Sequence, residues 1–242
     1  ASFISTATLE VDPEVDLSAP VRIEARKIIP ASLSEVTLDW AELETPEGQT
    51  GRSVLIAAIQ NLAIERLNIL MQFVGLGNSP TEIECFSAAR TISSAPESII
   101  IDFGASSAKM YILRNGVLNR MHRINIGGTE ITRQFATLQE IDFEAAEMQK
   151  IQLTKGDPAY GSLKGIYSKV YGRALREFKQ VIDHHVSDTG AEVPVIQLCG
   201  GASLYAGLGR MIQDATHIPV EHINPFDNVA YPAFMEDAMH EI

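Results

Sequence analysis

Cysteine, tryptophan and basic residues are all scarce in this chain of 242 residues. There are two cysteines, one tryptophan, and 19 Lys and Arg residues against 31 Asp and Glu residues, which gives a net charge of −12. Cys85 and Cys199 lie far apart in apolar contexts, so we interpret both as small buried residues and predict neither a disulfide framework nor a zinc site. Because an acidic chain repels a phosphate backbone, we expect no nucleic-acid binding.

Long apolar runs and several well-known ligand signatures are also missing. No run approaches the roughly 18 residues that a membrane-spanning helix needs, and no secretory signal is visible, so we expect a cytoplasmic protein. A Walker A loop is absent, and the βα unit that carries Gly200 and Gly201 lacks the G-x-G-x-x-G dinucleotide fingerprint. The pair His184 and His185 has no metal-ligand spacing around it, so we interpret it as a solvated helix end.

Strand-like and helix-like segments alternate along the chain, which predicts an α/β fold with a partly parallel sheet. Asn115-Gly116 predicts a two-residue hairpin between adjacent strands. Two helices show clear apolar stripes, one over residues 61–74 and one over about 160–186. The predicted core stripe of the first helix is Ala63, Leu67, Leu70 and Val74, and that of the second is Leu163, Ile166, Val170, Ala174, Phe178 and Ile182.

The segment from Asp102 to Ser107 is the first that could carry chemistry. An apolar run ends at Asp102, and Gly104 permits a tight turn whose following amides could point at one phosphate. The carboxylate could hold a hydrated Mg²⁺ ion or orient a water molecule. Asp-x-Gly is a short motif, and a plain hairpin with a polar tip is the alternative interpretation.

Two further groups precede or lie on predicted helices. Gly127 and Gly128 open a helix, where backbone amides favour anions, although the same glycines also suit a sharp turn. Glu147 and Lys150 stand three residues apart and therefore share a helix face. They form either an exposed ion pair or a pair of polar groups that reach a ribose or an adenine edge.

A final small-residue turn, Gly200-Gly201-Ala202, follows a buried strand and opens a helix. A flat ring could lie against such a turn, because no side chain stands in the way. Taken in order, the four groups resemble the second lobe of the actin-like ATPase superfamily, in which ATP lies in a cleft between two lobes.

The closer resemblance is to the PilM family of type IV pilus assembly proteins, which are relatives of the cell-division protein FtsA. It covers nearly the whole chain in the right order. The stretches that carry it are EARKIIPASLSEVTLDW (24–40), SVLIAAIQNLAIERLNILMQFVGL (53–76), IIIDFGASSAKMYILRNGVL (99–118), INIGGTEIT (124–132), AAEMQK (145–150) and LCGGASLYAGLGRMIQDATHIPVEHINPF (198–226).

The resemblance implies an actin-like, ribonuclease-H-like α/β fold: a mixed sheet flanked by helices, with a small extra α+β subdomain at the N-terminus. The implied divisions are a small subdomain at 1–48, a remnant of the first lobe at 49–96, the second lobe at 97–226 with a helical insertion at about 133–186, and a tail at 227–242 that returns toward the first lobe.

The resemblance also implies ATP and Mg²⁺ as cofactors. The resemblance implies a second phosphate loop of Asp102, Gly104, Ala105, Ser106 and Ser107, with Asp102 as the catalytic residue and, through water, the metal residue. Gly127 and Gly128 would form a turn that lines the cleft, and Glu147 and Lys150 would contact the ribose and the adenine. Gly200, Gly201 and Ala202 would form the adenosine motif.

The implied partners are other pilus assembly proteins and a PilN-like inner-membrane protein. The resemblance implies that the short N-terminal tail of that protein binds in a groove between the small subdomain and the first lobe. A cytoplasmic location follows, from which partners recruit the protein to the inner membrane.

One departure from the family pattern limits these expectations. The family begins with a strand and Asp-x-Gly-Ser, the first phosphate loop, and nothing before residue 98 resembles it. The chain also begins at Ala1 rather than methionine, so we expect a fragment that binds ATP weakly, holds no cofactor and hydrolyses nothing. We also expect the sheet remnant at 53–92 to lack neighbours, which would favour a homo-oligomer or a swapped dimer.

Three functions are compatible with these residues. The first is a nucleotide-dependent scaffold, which the presence of Asp102, Glu147, Lys150 and Gly200-Gly201 favours. The second is an interaction module with a degenerate nucleotide site, like the cytoplasmic domain of the secretion protein GspL, or a cell-division protein like FtsA. The third is a metabolic enzyme of the same superfamily, for which no convincing catalytic aspartate in a substrate pocket is visible.

Overall fold

The computed structural model describes residues 2–45, 50–77, 82–92, 95–153, 156–205, 207–226 and 229–235. The chain divides into two compact units. The first comprises Ala1–Ser87 with Leu118–Met121, and the second comprises Ala88–Val117 with His122–Ile242. Each unit contains its own cluster of buried hydrophobic residues.

The first unit is built on a three-stranded antiparallel sheet in the order β1-β3-β2. Helix α1 packs Val21 and Ala25 against the same hydrophobic cluster as Ile56 of the central strand. All three residues are fully buried, which fixes which faces of the helix and strand point inward. The bounds are β1 Ser2–Leu9, α1 Ser18–Ile28, β2 Val36–Leu43 and β3 Arg52–Gln60.

Strand β3 has a different place from the one that the sequence analysis gave it. The predicted division at residue 48 separated it from the small subdomain, and the predicted lobe remnant at 53–92 was expected to lack sheet neighbours. That expectation was wrong for β3, because Ile56 pairs with Ser5 of β1 on one side and with Trp40 of β2 on the other. The apolar run does form a buried strand, but as the centre of the N-terminal sheet.

Helix α2 (Asn61–Phe73) forms where it was predicted, but its apolar stripe is not a core. None of its residues is buried, and Leu70 and Phe73 are 55% and 88% exposed. The prediction failed because periodicity shows that a face is apolar but does not show that another element covers it. Helix α3 (Glu84–Thr91), the next element, does bury a side chain, that of Cys85.

The second unit contains most of a five-stranded mixed sheet in the order β6-β5-β4-β7-β8. β4 pairs antiparallel with β5 and parallel with β7, which in turn pairs parallel with β8. The predicted hairpin turn is confirmed: Asn115 and Gly116 both have positive φ angles, as a tight two-residue turn requires. The bounds are β4 Glu97–Phe103, β5 Ala108–Arg114, β6 Val117–Ile124, β7 Ile196–Cys199 and β8 Val220–His222.

Four helices pack with residues of this sheet in one large hydrophobic cluster. The predicted stripe of the long helix is confirmed, because all six of its residues are buried in that cluster. Among the described residues no helix is long and apolar enough to cross a membrane. The helices are α4 Gly128–Gln139, α5 Phe143–Gln152, α6 Tyr160–Thr189 and α7 Leu208–Thr216, with short 3₁₀ helices at Gly201–Leu204 and Ala233–Met235.

The two histidines near the end of α6 occupy opposite environments, so the prediction of a solvated pair was half wrong. His184 is exposed and lies 3.3 Å from Asp188, one turn further along. His185 is buried, and its Nε2 lies 3.1 Å from Oε2 of the buried Glu97, whose Oε1 accepts a 2.7 Å hydrogen bond from Arg114. Adjacent residues on a helix point about 100° apart, so only one of the two reaches β4.

Candidate functional site

A cavity of about 740 Å³ lies in the second unit, where the turns after β4 and β7 meet helices α4, α5 and α6. Glycine turns and polar side chains line one part of it, and aromatic and aliphatic side chains line the rest. The lining residues are Gly104, Ala105, Gly128, Thr129, Phe143, Glu147, Lys150, Ile151, Leu153, Tyr160, Tyr167, Tyr171, Gly201, Ala202, Leu204 and Tyr205.

The turn from Gly104 to Ser107 closes the β4–β5 hairpin and faces the cavity with its first two residues. The Gly104 amide donates to the Ser107 carbonyl at 3.0 Å, which makes the turn tight. Ala105 and Ser106 are exposed, and no backbone bond from their amides to another described residue is formed. Both amides are therefore available to an anionic group.

The turn at Gly127 and Gly128 packs closely against the Gly104–Ser107 turn. The amides of Gly128 and Thr129 donate to the carbonyls of Gly104 and Ala105 at 3.0 and 2.8 Å. A Cβ atom at Gly127 would lie 2.5 Å from the Ala105 oxygen, so only glycine allows this approach. The first amides of α4 therefore hold the loop rather than face an anion, which favours the sharp-turn interpretation of the two glycines.

Gly200 and Gly201 have different surroundings although they are neighbours. Gly200 has a φ angle of +86°, and a Cβ atom there would overlap Oδ1 of Asp102 and lie 2.5 Å from the Phe103 carbonyl oxygen. Gly201 lines the cavity and has open space where its side chain would be. The first glycine permits the packing of two strand ends, and the second keeps the cavity wall flat.

Asp102 lies at the end of β4 but does not line the cavity. Its Oδ2 is 3.9 Å from Nζ of Lys109, its partner in the β4–β5 ladder. Burial, together with the nearby Asp102 charge, raises the pKa of the Cys199 thiol to about 12, so the cysteine is a neutral neighbour. Among the described residues no cluster of three or more His, Cys, Asp or Glu side chains could hold a metal ion.

Glu147 and Lys150 line the cavity together and are joined by a third residue, Thr132 of α4. Nζ of Lys150 donates to Oε2 of Glu147 at 2.7 Å and to Oγ1 of Thr132 at 2.8 Å. The Thr132 hydroxyl also contacts Oε2 of Glu147. The side chain of Lys150 is only 12% exposed, whereas that of Glu147 is 40% exposed, so the exposed-pair interpretation describes the carboxylate but not the ammonium group.

The environment of Glu147 keeps it ionised. Burial by itself would raise the pKa of Glu147, but hydrogen bonds from Lys150 and Thr132 and the Lys150 charge outweigh it and hold that pKa below its usual value. The cavity therefore offers a carboxylate acceptor beside an ammonium donor at neutral pH.

The aromatic part of the wall comes mainly from α6 and from the turn after β7. Tyr167 and Tyr205 are stacked in parallel, with ring centroids 3.7 Å apart, and Tyr171 packs beside Tyr167. Burial raises the pKa of both Tyr167 and Tyr171, so these rings stay neutral. Flat neutral rings of this kind suit an apolar planar ligand.

The structure thus brings together most, but not all, of the residues that the sequence singled out. Gly104, Ala105, Gly128, Glu147, Lys150, Gly201 and Ala202 line one cavity, whereas Asp102, Ser106, Ser107, Gly127 and Gly200 do not. Sequence reasoning missed Thr132 and the tyrosines. A signal existed for the tyrosines, because Tyr167 and Tyr171 are four residues apart on the buried face of α6.

Comparisons with known proteins agree with this architecture. The profile of the family "Type IV pilus assembly protein PilM" matches residues 7–240. A chain of a PilM–PilN type IV pilus biogenesis complex is 25% identical, with a TM-score of 0.79 over all of this chain and 72% of that one.

Actin-like proteins of lower identity share the fold alone. MreB5 of Spiroplasma citri bound to AMPPNP is 13% identical, with a TM-score of 0.54 over 76% of this chain and 68% of that one. The same protein bound to ADP is 16% identical, with a TM-score of 0.50 over 69% and 62% of the two chains. The chain therefore belongs to the PilM family of type IV pilus assembly proteins and has the actin-like fold that the sequence resemblance implied.

Proposed function

We propose that this chain is an actin-like scaffold of the type IV pilus assembly machinery whose cavity binds the nucleoside part of ATP. The observation that supports this is the convergence of four sequence-distant groups on one cavity: Gly104-Ala105, Gly128, Glu147 with Lys150, and Gly201-Ala202. Its volume of about 740 Å³ is in the usual range for small-molecule sites. A carboxylate–ammonium pair at one side suits a ribose, and an aromatic wall suits a base.

The phosphate end of the cavity offers little positive charge. Lys150 is the one basic side chain among the described lining residues, and it is already bonded to Glu147 and Thr132. The first amides of α4 are bonded to the Gly104 turn, and the whole chain carries a charge of −12. We therefore expect the nucleoside to supply most of the affinity and the phosphates to add little. When bound, ATP would bring its phosphates and their Mg²⁺ ion to the Gly104–Ser107 turn.

Calorimetric titration with adenosine, ADP and Mg-ATP tests this proposal. The three dissociation constants should lie within about tenfold of one another, because the phosphates gain few contacts. Lys150→Met should weaken all three. Lys179→Met, which removes an exposed ion pair on α6, is the matched control and should change none. Micromolar binding of Mg-ATP without measurable binding of adenosine would contradict the proposal.

We further propose that the chain binds the N-terminal tail of a PilN-like inner-membrane protein, which would recruit it from the cytoplasm to that membrane. Its similarity to a chain of a PilM–PilN complex supports this partner. Fluorescence anisotropy with a labelled tail peptide tests it, with a scrambled peptide as the control. Saturable binding of the native tail alone is expected, and equal binding of both peptides would contradict it.

A second candidate, an interaction module that does not use nucleotide, is favoured by one observation. The Gly128 and Thr129 amides, which could have bound a phosphate, are bonded to the neighbouring loop. The same anisotropy titration with saturating adenosine or ATP separates the two candidates. A change in peptide affinity supports the nucleotide-dependent scaffold, and an unchanged affinity supports the module. We expect no ATP turnover by this chain in either case.

A further inference from the structure

Thr132 has a buried hydroxyl group that contacts three residues around the cavity. The residue lies on α4 and has no exposed surface. Its Oγ1 lies 3.0 Å from the Gly128 carbonyl oxygen and 2.8 Å from Nζ of Lys150, and it contacts Oε2 of Glu147. A single oxygen therefore connects the glycine turn to the two polar residues of α5 that line the cavity.

The direction of these hydrogen bonds follows from the chemistry of the groups. An ammonium has only donors, so Thr132 accepts from Lys150. The one hydroxyl proton then goes to the Gly128 carbonyl or to Glu147, and the charged carboxylate is the stronger acceptor. Lys150 donates to the same carboxylate oxygen at 2.7 Å.

The two bonds to Glu147, from Thr132 and from Lys150, are both made to its Oε2 atom and leave Oε1 unused. Among the described residues nothing bonds to Oε1, and one of the three Lys150 protons also has no partner. Both residues line the cavity. The wall therefore presents one free acceptor beside one free donor, at positions fixed by Thr132.

We infer that Thr132 is a positioning residue that orients Glu147 and Lys150 to bind the vicinal hydroxyls of a ribose and so makes the cavity selective for ribonucleosides. The inference rests on the proposed function, because it assigns a selectivity to the same cavity. An acceptor beside a donor matches a diol, in which one hydroxyl can give a proton while the other accepts one. A deoxyribose lacks one of these hydroxyls and therefore leaves either Glu147 or Lys150 without that hydrogen bond.

The test compares adenosine with 2′-deoxyadenosine and 3′-deoxyadenosine by NMR titration of four proteins: the wild type, Thr132→Val, Thr132→Ser and Thr137→Val. Valine keeps the shape of threonine without the hydroxyl, and serine restores the hydroxyl. Thr137 is the matched control, since it lies on the same helix, is exposed, and makes the same 3.0 Å bond to the carbonyl four residues earlier.

The wild type should prefer adenosine over at least one deoxynucleoside by roughly tenfold, the effect of one hydrogen bond to a charged group. Thr132→Val should reduce that ratio to below about threefold, whereas Thr132→Ser and Thr137→Val should keep it. If Thr132→Val lowers stability but leaves the ratio unchanged, Thr132 only packs the core and the inference is overturned while the proposed function stands. If the wild type binds no nucleoside, the proposed function fails and the inference fails with it.

A ligand-free measurement completes the test. The carboxyl carbon of Glu147 can be followed by NMR as the pH is lowered. Because a Thr132 hydrogen bond helps to hold the pKa of Glu147 below its usual value, Thr132→Val should raise that pKa and Thr132→Ser should not. Identical titration curves for wild type and Thr132→Val would show that the hydroxyl does not act on Glu147.

Discussion

At the scale of single residues, Gly200 and Gly201 offer a direct comparison. Gly200→Ala forces a side chain into a positive-φ position and against Asp102 and Phe103, so we expect it to cost about 2 to 5 kcal/mol of unfolding free energy. Gly201→Ala meets open space and should cost less than about 1 kcal/mol. Urea denaturation of both variants measures the difference. Equal midpoints would contradict the packing described for the turn after β7.

The adjacent histidines of α6 give a second matched pair. His185→Ala removes a buried partner of Glu97 and should lower the unfolding free energy by about 3 kcal/mol. His184→Ala removes only an exposed contact with Asp188 and should change it by less than about 0.5 kcal/mol. Thermal and urea unfolding at pH 7 check both. A large effect of His184→Ala would mean that the two environments are assigned the wrong way round.

At the scale of elements, α2 stands out because its apolar side chains are exposed. We expect the chain to bind a hydrophobic dye such as ANS, and we expect Leu70→Glu with Phe73→Glu to reduce that fluorescence severalfold. The double substitution should change the unfolding free energy by less than about 1 kcal/mol, since neither side chain is buried. Gln72→Glu adds a charge to the same helix without removing apolar surface and serves as the control. Strong destabilisation by the double substitution would show that the helix is covered.

The same elements show what the sequence could and could not predict. The stripes of α2 and α6 look alike in the sequence, yet only α6 is buried, because burial depends on which element lies opposite. The hairpin turn was predictable, because Asn-Gly readily adopts the positive φ angles that a two-residue turn requires. The pairing of β3 with β1 and β2 was not predictable, because an apolar segment indicates a buried strand but does not indicate which strands pair with it.

The candidate site likewise contains residues that could be predicted from the sequence and residues that could not. The glycine turns and the Glu147–Lys150 pair were visible, because each is a local pattern whose residues are close in the chain. Thr132 was not visible, since its hydroxyl matters only through bonds to Glu147 and Lys150, 15 and 18 residues away. The assigned ligand roles of the individual residues remain predictions, and Asp102 in particular lies outside the cavity.

At the scale of the whole molecule, the net charge predicts how salt changes the affinity for ATP. With a charge of −12 the chain repels the ATP phosphates, and salt screens this repulsion over about 10 Å at 0.1 M. Raising NaCl from 50 to 500 mM should therefore strengthen ATP binding relative to adenosine by roughly two- to threefold. Titration of both ligands at the two salt concentrations checks this. A steep loss of ATP binding with salt would instead reveal a positively charged phosphate site.

The central claim is that the cavity of the second unit is the nucleoside site. Amide NMR of the isotope-labelled chain during titration with adenosine tests it most directly. We predict saturable shifts at cavity residues, among them Gly104, Ala105, Gly128, Lys150 and Gly201, with none at β1 or α2. Shifts confined to other parts of the chain, or no shifts at millimolar adenosine, would contradict the account.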